Sequence, residues 1–525
     1  MNRLLFKLLF IEALRSLIIF ISFGLNRKNT RGFFHGFCIL KSTWRTSGLL
    51  PLTATFWILS LSNTVNAQKK IIVYPAPAGE ILNSSYEIRA AGKSVDVYNV
   101  KIAAMDSVRR FKAVDDILHS ADYYDNAAFC YFAIREKTQV TIKCKEIIRS
   151  VKVLPTSFGL QFKFHNHTID FNISPGQNVT VETNGDIVHS LHIFANLIEK
   201  KPRANDPNII YFGPGIHEVT SMVIGDNKTV YIAGGAIVKA VIGKHEKYSL
   251  EPNGLRNYLP TFILTGHNIK FAGQGIIDGS DCTTHARNLV KTFRANGVII
   301  SGIILINPSG WTMPIAQSDN VTVNNVKILG YRANSDGIDI CNSRNILINN
   351  CFIRTNDDLI VVKTFEKQGL VNNIIVKKCI LWNQLANALS LGAELRENVS
   401  NVFFSDCDII HDTGREWSLR IFQCDSSNIK NIHFENLRIE QSRQCISLWI
   451  GKAGPSLEKG LGVINNVIFK NINIANNPLG MEIIGGDPNH EIKNISFTHI
   501  LMAEHSLSRI DMRINPYSQN ISFSP

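Results

Sequence analysis

The sequence has no glycine-rich dinucleotide fingerprint, no phosphate-binding loop, no HExxH and no CxxC pair. Nothing in it therefore marks a site for a nucleotide or a zinc ion by local geometry, and neither a cofactor nor a metal is expected. Charged residues are sparse at 19%, against 45% hydrophobic residues. That balance excludes a disordered tail protein, a collagen-like fibre and a short disulfide scaffold. The net charge of +12 is unevenly placed, because residues 1–67 hold eight Lys and Arg against the single acid Glu12 and so carry +7. The remaining +5 is weak evidence for a polyanionic partner and no evidence for DNA binding. No nucleic-acid partner is expected, nor a stable protein partner, and the chain reads as a monomer.

Two apolar stretches lie in the first 67 residues. The stretch Leu4 to Leu25 is interrupted by Lys7, Glu12 and Arg15, charges that make a clean membrane span costly. A second run, Leu49 to Leu61, follows Arg45 and leads to Val65-Asn66-Ala67. A basic flank, a short apolar core and small residues before the break are the parts of an export signal. Cleavage after Ala67 is expected, or else an uncleaved anchor. Either places the body outside the cytoplasm, secreted, periplasmic or on the cell surface. Of the ten cysteines, Cys351, Cys379 and Cys407 recur every 28 residues in one local context. They read as buried thiols used as small hydrophobes, with a bridge between neighbouring rungs as the alternative.

From residue 268 one phrase returns: Asn, then Val or Ile, any residue, an aliphatic or Phe, a polar turn, and another aliphatic pair. Copies begin at Asn268, Gly297, Asn320, Asn345, Asn373, Asn401, Asn431, Asn466 and Asn494, 23–35 residues apart. Each alternates apolar and polar positions, the period of a strand, and no helical period runs through the units. One such unit cannot bury its apolar face alone, whereas stacked units align like residues into a continuous core. Residues 205–525 are therefore expected to form a right-handed parallel β-helix, with the repeated Asn stacked in its turns. Segments between 68 and 195, such as SYEIRA, TQVTIKC and VTVETNG, are short strands without a fixed period. They predict a small β-sandwich ahead of the helix, so the fold class is all-β.

Residues that interrupt the apolar pattern at matching places on successive coils are the candidates for chemistry. They fall in Asn334-Ser335-Asp336-Gly337-Ile338-Asp339, then Thr355-Asn356-Asp357-Asp358, then Asn387-Ala388-Leu389-Ser390-Leu391-Gly392, then Ser418-Leu419-Arg420-Ile421-Phe422. Rungs lie about 4.8 Å apart, so Asp336, Asp357 and Asp358 should meet. Crowded carboxylates raise one another's pKa and keep a proton. Two bases and one acid are what inverting glycoside hydrolysis requires, across a gap of roughly 6.5–9.5 Å.

These motifs resemble glycoside hydrolase family 28, the polygalacturonases. Asn334 to Asp339 is similar to its Asn-Thr-Asp-Gly-x-Asp, Asn356-Asp357-Asp358 to its Gly/Gln-Asp-Asp, and Trp311-Thr312-Met313-Pro314 to its Ser-Pro-x-Trp-Thr segment. The resemblance implies a pectin-lyase-like solenoid and a polysaccharide substrate. It makes Asp357 the general acid, with Asp336 and Asp358 activating water, and it places Asn334 and Arg420 at the sugar. It also has gaps: Asn387 stands where the family has His, and Phe422 where it has the Lys that pairs with a uronate carboxylate. The order of a sandwich before the helix also resembles family 49, the dextranases and isopullulanases, whose sugar is neutral. Lys363 could tune the acids or be solvated. Trp449 is either a sugar-stacking platform or a rim aromatic, and His411 and His433 read as packed or surface side chains. A β-helix lyase using Arg420 as base, and a non-catalytic adhesive solenoid, are the competing readings. The insertion 239–262 could close one end of the groove and enforce exo action.

Overall fold

The computed structural model describes residues 70–525 except 253 and 504, so the export signal predicted before residue 68 lies outside the described residues. Gln68–Pro525 forms one compact unit. The chain begins with two facing sheets. A five-stranded antiparallel sheet comprises Tyr86–Ala90, Lys93–Val95, Thr138–Cys144, Phe162–His165 and Thr168–Ile173. A six-stranded sheet contains the long neighbours Tyr124–Ile134 and Asp186–Leu197. Between them lies a core that includes Ile88, Val140, Ile142, Ile169, Cys130, Phe132 and Ile193.

The six-stranded sheet is buried on both faces. Its outer face presents Tyr98, Val100, Ile102, Phe129, Tyr131 and Phe194 to the solenoid residues Ile276, Ile304, Leu329, Phe352, Ile380 and Trp382. This accounts for the unbroken apolar run from Ala127 to Ile134, since a strand covered on both sides has no polar face to alternate with. Polar groups join the two parts as well. Arg354 donates to Ser190 Oγ at 2.8 Å and lies 3.5 Å over the Trp382 ring. His411 Nε2 is 2.6 Å from Glu182 Oε1.

Residues 209–524 form a right-handed parallel β-helix, coil stacked on coil in register. One inward file runs Val298, Val321, Ile346, Ile374, Val402, Ile432, Val467, Ile495 and Ile521. Another is a stack of phenyl rings, Phe404, Phe434, Phe469, Phe497 and Phe523, with centroids 4.8–5.0 Å apart. The repeated Asn residues adopt positive φ at the turn, a conformation Asn tolerates better than most side chains. Some bond directly from rung to rung, as Asn373 to Asn345 at 2.7 Å and Asn466 to Asn431 at 2.9 Å. Cys351, Cys379 and Cys407 are buried free thiols in the same stack, and no disulfide occurs among the described residues.

Candidate active site

The site lies where the chain leaves one sheet of the solenoid and turns toward the next. The following strands stack in strict register: Met313, Ile338, Ile360, Leu389 and Leu419 are direct neighbours. Two residues before each stand Trp311, Asp336, Asp358, Asn387 and Trp417. The ladder continues through these turns, with Gly337 N donating to Asp358 O at 2.8 Å and Leu359 N to Asn387 O at 2.9 Å. Gly337 is required there, because a Cβ would overlap the carbonyl oxygen of Leu359. Repeat register thus brings together residues that are 51 positions apart in the case of Asp336 and Asn387.

One carboxylate oxygen from each of Asp336, Asp357 and Asp358 lies within 4.8 Å of the others. That is tighter than the 6.5–9.5 Å gap expected, because Asp357 and Asp358 are adjacent in the chain and Asp336 lies one rung away. The charge is balanced from below. Lys363 is only 4% exposed, and its Nζ is 2.9 Å from both Asp336 Oδ2 and Asp339 Oδ1 and 3.8 Å from the centre of the Trp311 ring. The ammonium sequence reasoning left open is therefore a buried counter-ion. Asp339, visible only as the end of a motif, is its second partner.

Asn387, in the place of the family's His, donates to Asp358 Oδ1 from its backbone N at 3.1 Å and from Nδ2 at 2.7 Å. Asp357 accepts from the backbone N of Asp358 at 2.9 Å and keeps partial exposure to the cleft. Burial pushes Asp358 up to about 7, with Asp357 adding to the shift and Lys363 and Asn387 opposing it. Burial also raises Asp336, Asp357 and Asp339, in each case against the pull of Lys363. The cluster therefore retains protons near neutrality, as crowded buried carboxyls must. The three acids could also hold a divalent cation, though Lys363 already supplies a positive charge beside them.

The cleft around the acids has a volume of about 270 Å³ and includes Asn334, Glu394, Glu416, Arg420 and Phe422 in its lining. Arg420 Nη1 is 2.5 Å from Glu416 Oε2, and its guanidinium lies 3.9 Å over the Phe422 ring. Trp449 is the register neighbour of Phe422 on the next coil, centroids 5.1 Å apart, and is not part of the cleft lining. Val114 also lines the cleft. It belongs to the helix Ser107–Asp115, capped by Asp106, whose side chain accepts from Arg109 N, and Arg110 of that helix donates to Gln384 O at 2.9 Å. The N-terminal part thus supplies one wall, which the strand pattern did not foretell.

Asn334 and Trp311 continue the cleft into a neighbouring cavity of about 380 Å³. There Asn334 Oδ1 is 3.1 Å from His285 Nε2, and His285 Nδ1 is 2.9 Å from Glu251 Oε2. Glu251 belongs to the insertion that was expected to close one end of the groove. His433 lies far along the solenoid, stacked on Phe403, and His411 joins the two parts of the molecule.

Comparison with known proteins follows this geometry. Residues 219–473 match the family described as glycosyl hydrolases family 28. The matched segment contains every acid of the cleft. The exopolygalacturonase clone GBGE184 of Arabidopsis thaliana is 26% identical over 284 residues, 50% of this chain and 60% of that protein. Exopolygalacturonase B of Aspergillus niger is 23% identical over 235 residues, 40% of this chain and 45% of that one. The chain spans about half the length of the curated relatives it matches. The solved structure of Dex49A from Penicillium minioluteum superposes with a TM-score of 0.60 at 14% identity, covering 86% of this chain and 96% of that one. Such coverage exceeds the solenoid, so the shared fold extends to the sandwich that precedes it.

Proposed function

We propose that this protein is an exported, inverting glycoside hydrolase that cleaves a polysaccharide with polygalacturonase-like machinery. The observation that carries the reading is the convergence of Asp336, Asp357 and Asp358 in an open cleft over one buried ammonium. Asp357 is the most exposed of the three and acts as the general acid, giving its proton to the leaving glycosidic oxygen. A water held between Asp336 and Asp358 attacks the anomeric carbon as that bond breaks, and the one proton it releases passes to one of the two carboxylates. Hydrogen bonds of about 2.7–2.8 Å to each let one water bridge oxygens up to roughly 5.5 Å apart, so the 4.8 Å cluster accommodates it. Lys363 opposes the burial that raises Asp336 and so favours its ionised form, and Asn387 orients Asp358.

The spacing also approaches the 5–5.5 Å of retaining enzymes, so the anomer of the first product is the deciding measurement. An inverted anomer by NMR supports the bridged water, whereas a retained one makes Asp336 or Asp358 a nucleophile. A lyase reading would need Arg420 as a base, but its guanidinium is already engaged by the Glu416 carboxylate at 2.5 Å. Purified protein is expected to release new reducing ends from polysaccharide without an ultraviolet-absorbing unsaturated product. Asp357→Asn should abolish turnover while keeping glycan binding. Retained turnover rejects the assignment of the acid. Export predicts a secreted product whose N-terminus is Gln68.

A further inference from the structure

The part of the cleft two coils beyond Asp357 and Asp358 on the same sheet has a charge arrangement that the hydrolytic chemistry does not require. Two cations there could meet the carboxylate of an acidic sugar, the exposed Arg415 and the less exposed Arg420. The Arg420 side chain is 11% exposed, and Glu416, 30% exposed, pairs with it at 2.5 Å. Glu416 Oε1 also lies 3.5 Å from Arg415 Nε. The other face of the guanidinium is covered by Phe422 at 3.9 Å. Arg420 is thus held by a carboxylate at its edge and by a ring on its face. Glu394 lines the same cleft, so with Asp336, Asp357 and Asp358 five acids face three cations, Lys363, Arg415 and Arg420. Lys363 is itself consumed by Asp336 and Asp339. A uronate entering here would set its carboxylate against Glu416 and Glu394, and like charges at close range cost several kcal/mol.

We propose that Glu416, by occupying Arg420, makes this part of the cleft a subsite for an uncharged sugar residue. Within the hydrolase reading, on which this rests, the guanidinium–carboxylate pair offers donors and acceptors side by side. Vicinal hydroxyls can satisfy both at once, and the exposed part of Phe422 can meet the apolar face of the ring. Glu416 is then a specificity determinant: it selects against a negative charge and hydrogen-bonds a hydroxyl.

The full chain carrying Asp357→Asn, which prevents turnover, is titrated calorimetrically with trigalacturonate, with the same trimer fully methyl-esterified, and with isomaltotriose. The first two share one sugar backbone and differ in charge and in the ester methyl groups that remove it. At low ionic strength an uncharged trimer is expected to bind about tenfold or more tightly than trigalacturonate. Adding Glu416→Gln should shrink or reverse that ratio, and Glu416→Asp should restore it. A merely structural Glu416 would weaken all three ligands together and leave the ratio unchanged. The proposal is overturned if trigalacturonate binds as well as both uncharged trimers, if Glu416→Gln leaves the ratio unchanged, or if neither uncharged trimer binds. Failure of the hydrolase reading shows separately, as absence of new reducing ends with the unmutated chain, because the binding ratio needs no turnover.

Discussion

Replacing Lys363 with Met removes a buried ammonium while keeping most of its volume, and its effect can be worked from two distances. Lys363 Nζ is 2.9 Å from a carboxylate oxygen of Asp336 and of Asp339. A unit-charge pair at that separation is worth about 6 kcal/mol at an effective dielectric of about 20. With the carboxylate charge spread over two oxygens, the half on the near oxygen alone contributes roughly 3 kcal/mol to Asp336, or about two pKa units. Burial already raises Asp336, and loss of the cation raises it further, so the base is ionised only at higher pH. The acidic limb of the kcat/KM profile should move up by about two units, lowering activity about 100-fold on that limb and much less at alkaline pH. Folding should respond in the same sense. Breaking a buried pair costs about 3–5 kcal/mol where the stranded carboxylates must ionise, and less once they hold protons. The variant should therefore melt far below the unmutated protein at pH 8 and close to it at pH 4. Initial-rate profiles and thermal melts across that range are the assays. An acidic limb that stays in place would show that Lys363 does not set the ionisation of Asp336.

Three further outcomes are expected. Asp412 is fully buried, accepts from Asn383 Nδ2 at 2.9 Å and from Ser418 Oγ, and is pushed up to about 7 by burial. With its folded pKa above its unfolded value, the native state binds the proton more tightly, so stability falls as pH rises from about 4 to about 7. Asp412→Asn should flatten that part of the stability curve, and an unchanged slope in chemical denaturation would contradict the shift. Asn387→Ala removes a 2.7 Å bond to a carboxylate, worth about 1.5–3 kcal/mol, and should lower kcat roughly 10- to 100-fold with little change in melting temperature. Val114→Arg should raise KM more than it lowers kcat, because the helix forms a wall and does not touch the acids; a change confined to kcat would speak against a wall role.

The recurring Asn-Val/Ile phrase revealed the solenoid because every coil must repeat the same turn and the same inward file to stay in register. The acids were legible for the same reason: register converts positions in successive phrases into neighbours in space. Glu394 and Glu416 were not legible, since nothing in one sequence distinguishes an acid at a strand end or turn that faces a cleft from one that faces water. The role of Lys363 stayed open between tuning the acids and solvation, because the two acids it pairs with lie on one rung and it arises from the next. The helix Ser107–Asp115 escaped notice because its nine residues hold too short an apolar stripe to stand out among strands. The link from Glu182 to His411 spans 229 residues outside the repeat, and no periodicity announces it.

The double burial of the six-stranded sheet has a practical corollary for anyone wishing to trim or recombine this chain. Expressing the solenoid by itself would uncover Ile276, Ile304, Leu329, Phe352, Ile380 and Trp382 as a greasy stripe running alongside the coils, an invitation to self-association. It would also strip away the helix that borders the cleft. Chimeras should therefore be cut so that both partners of that stripe travel together.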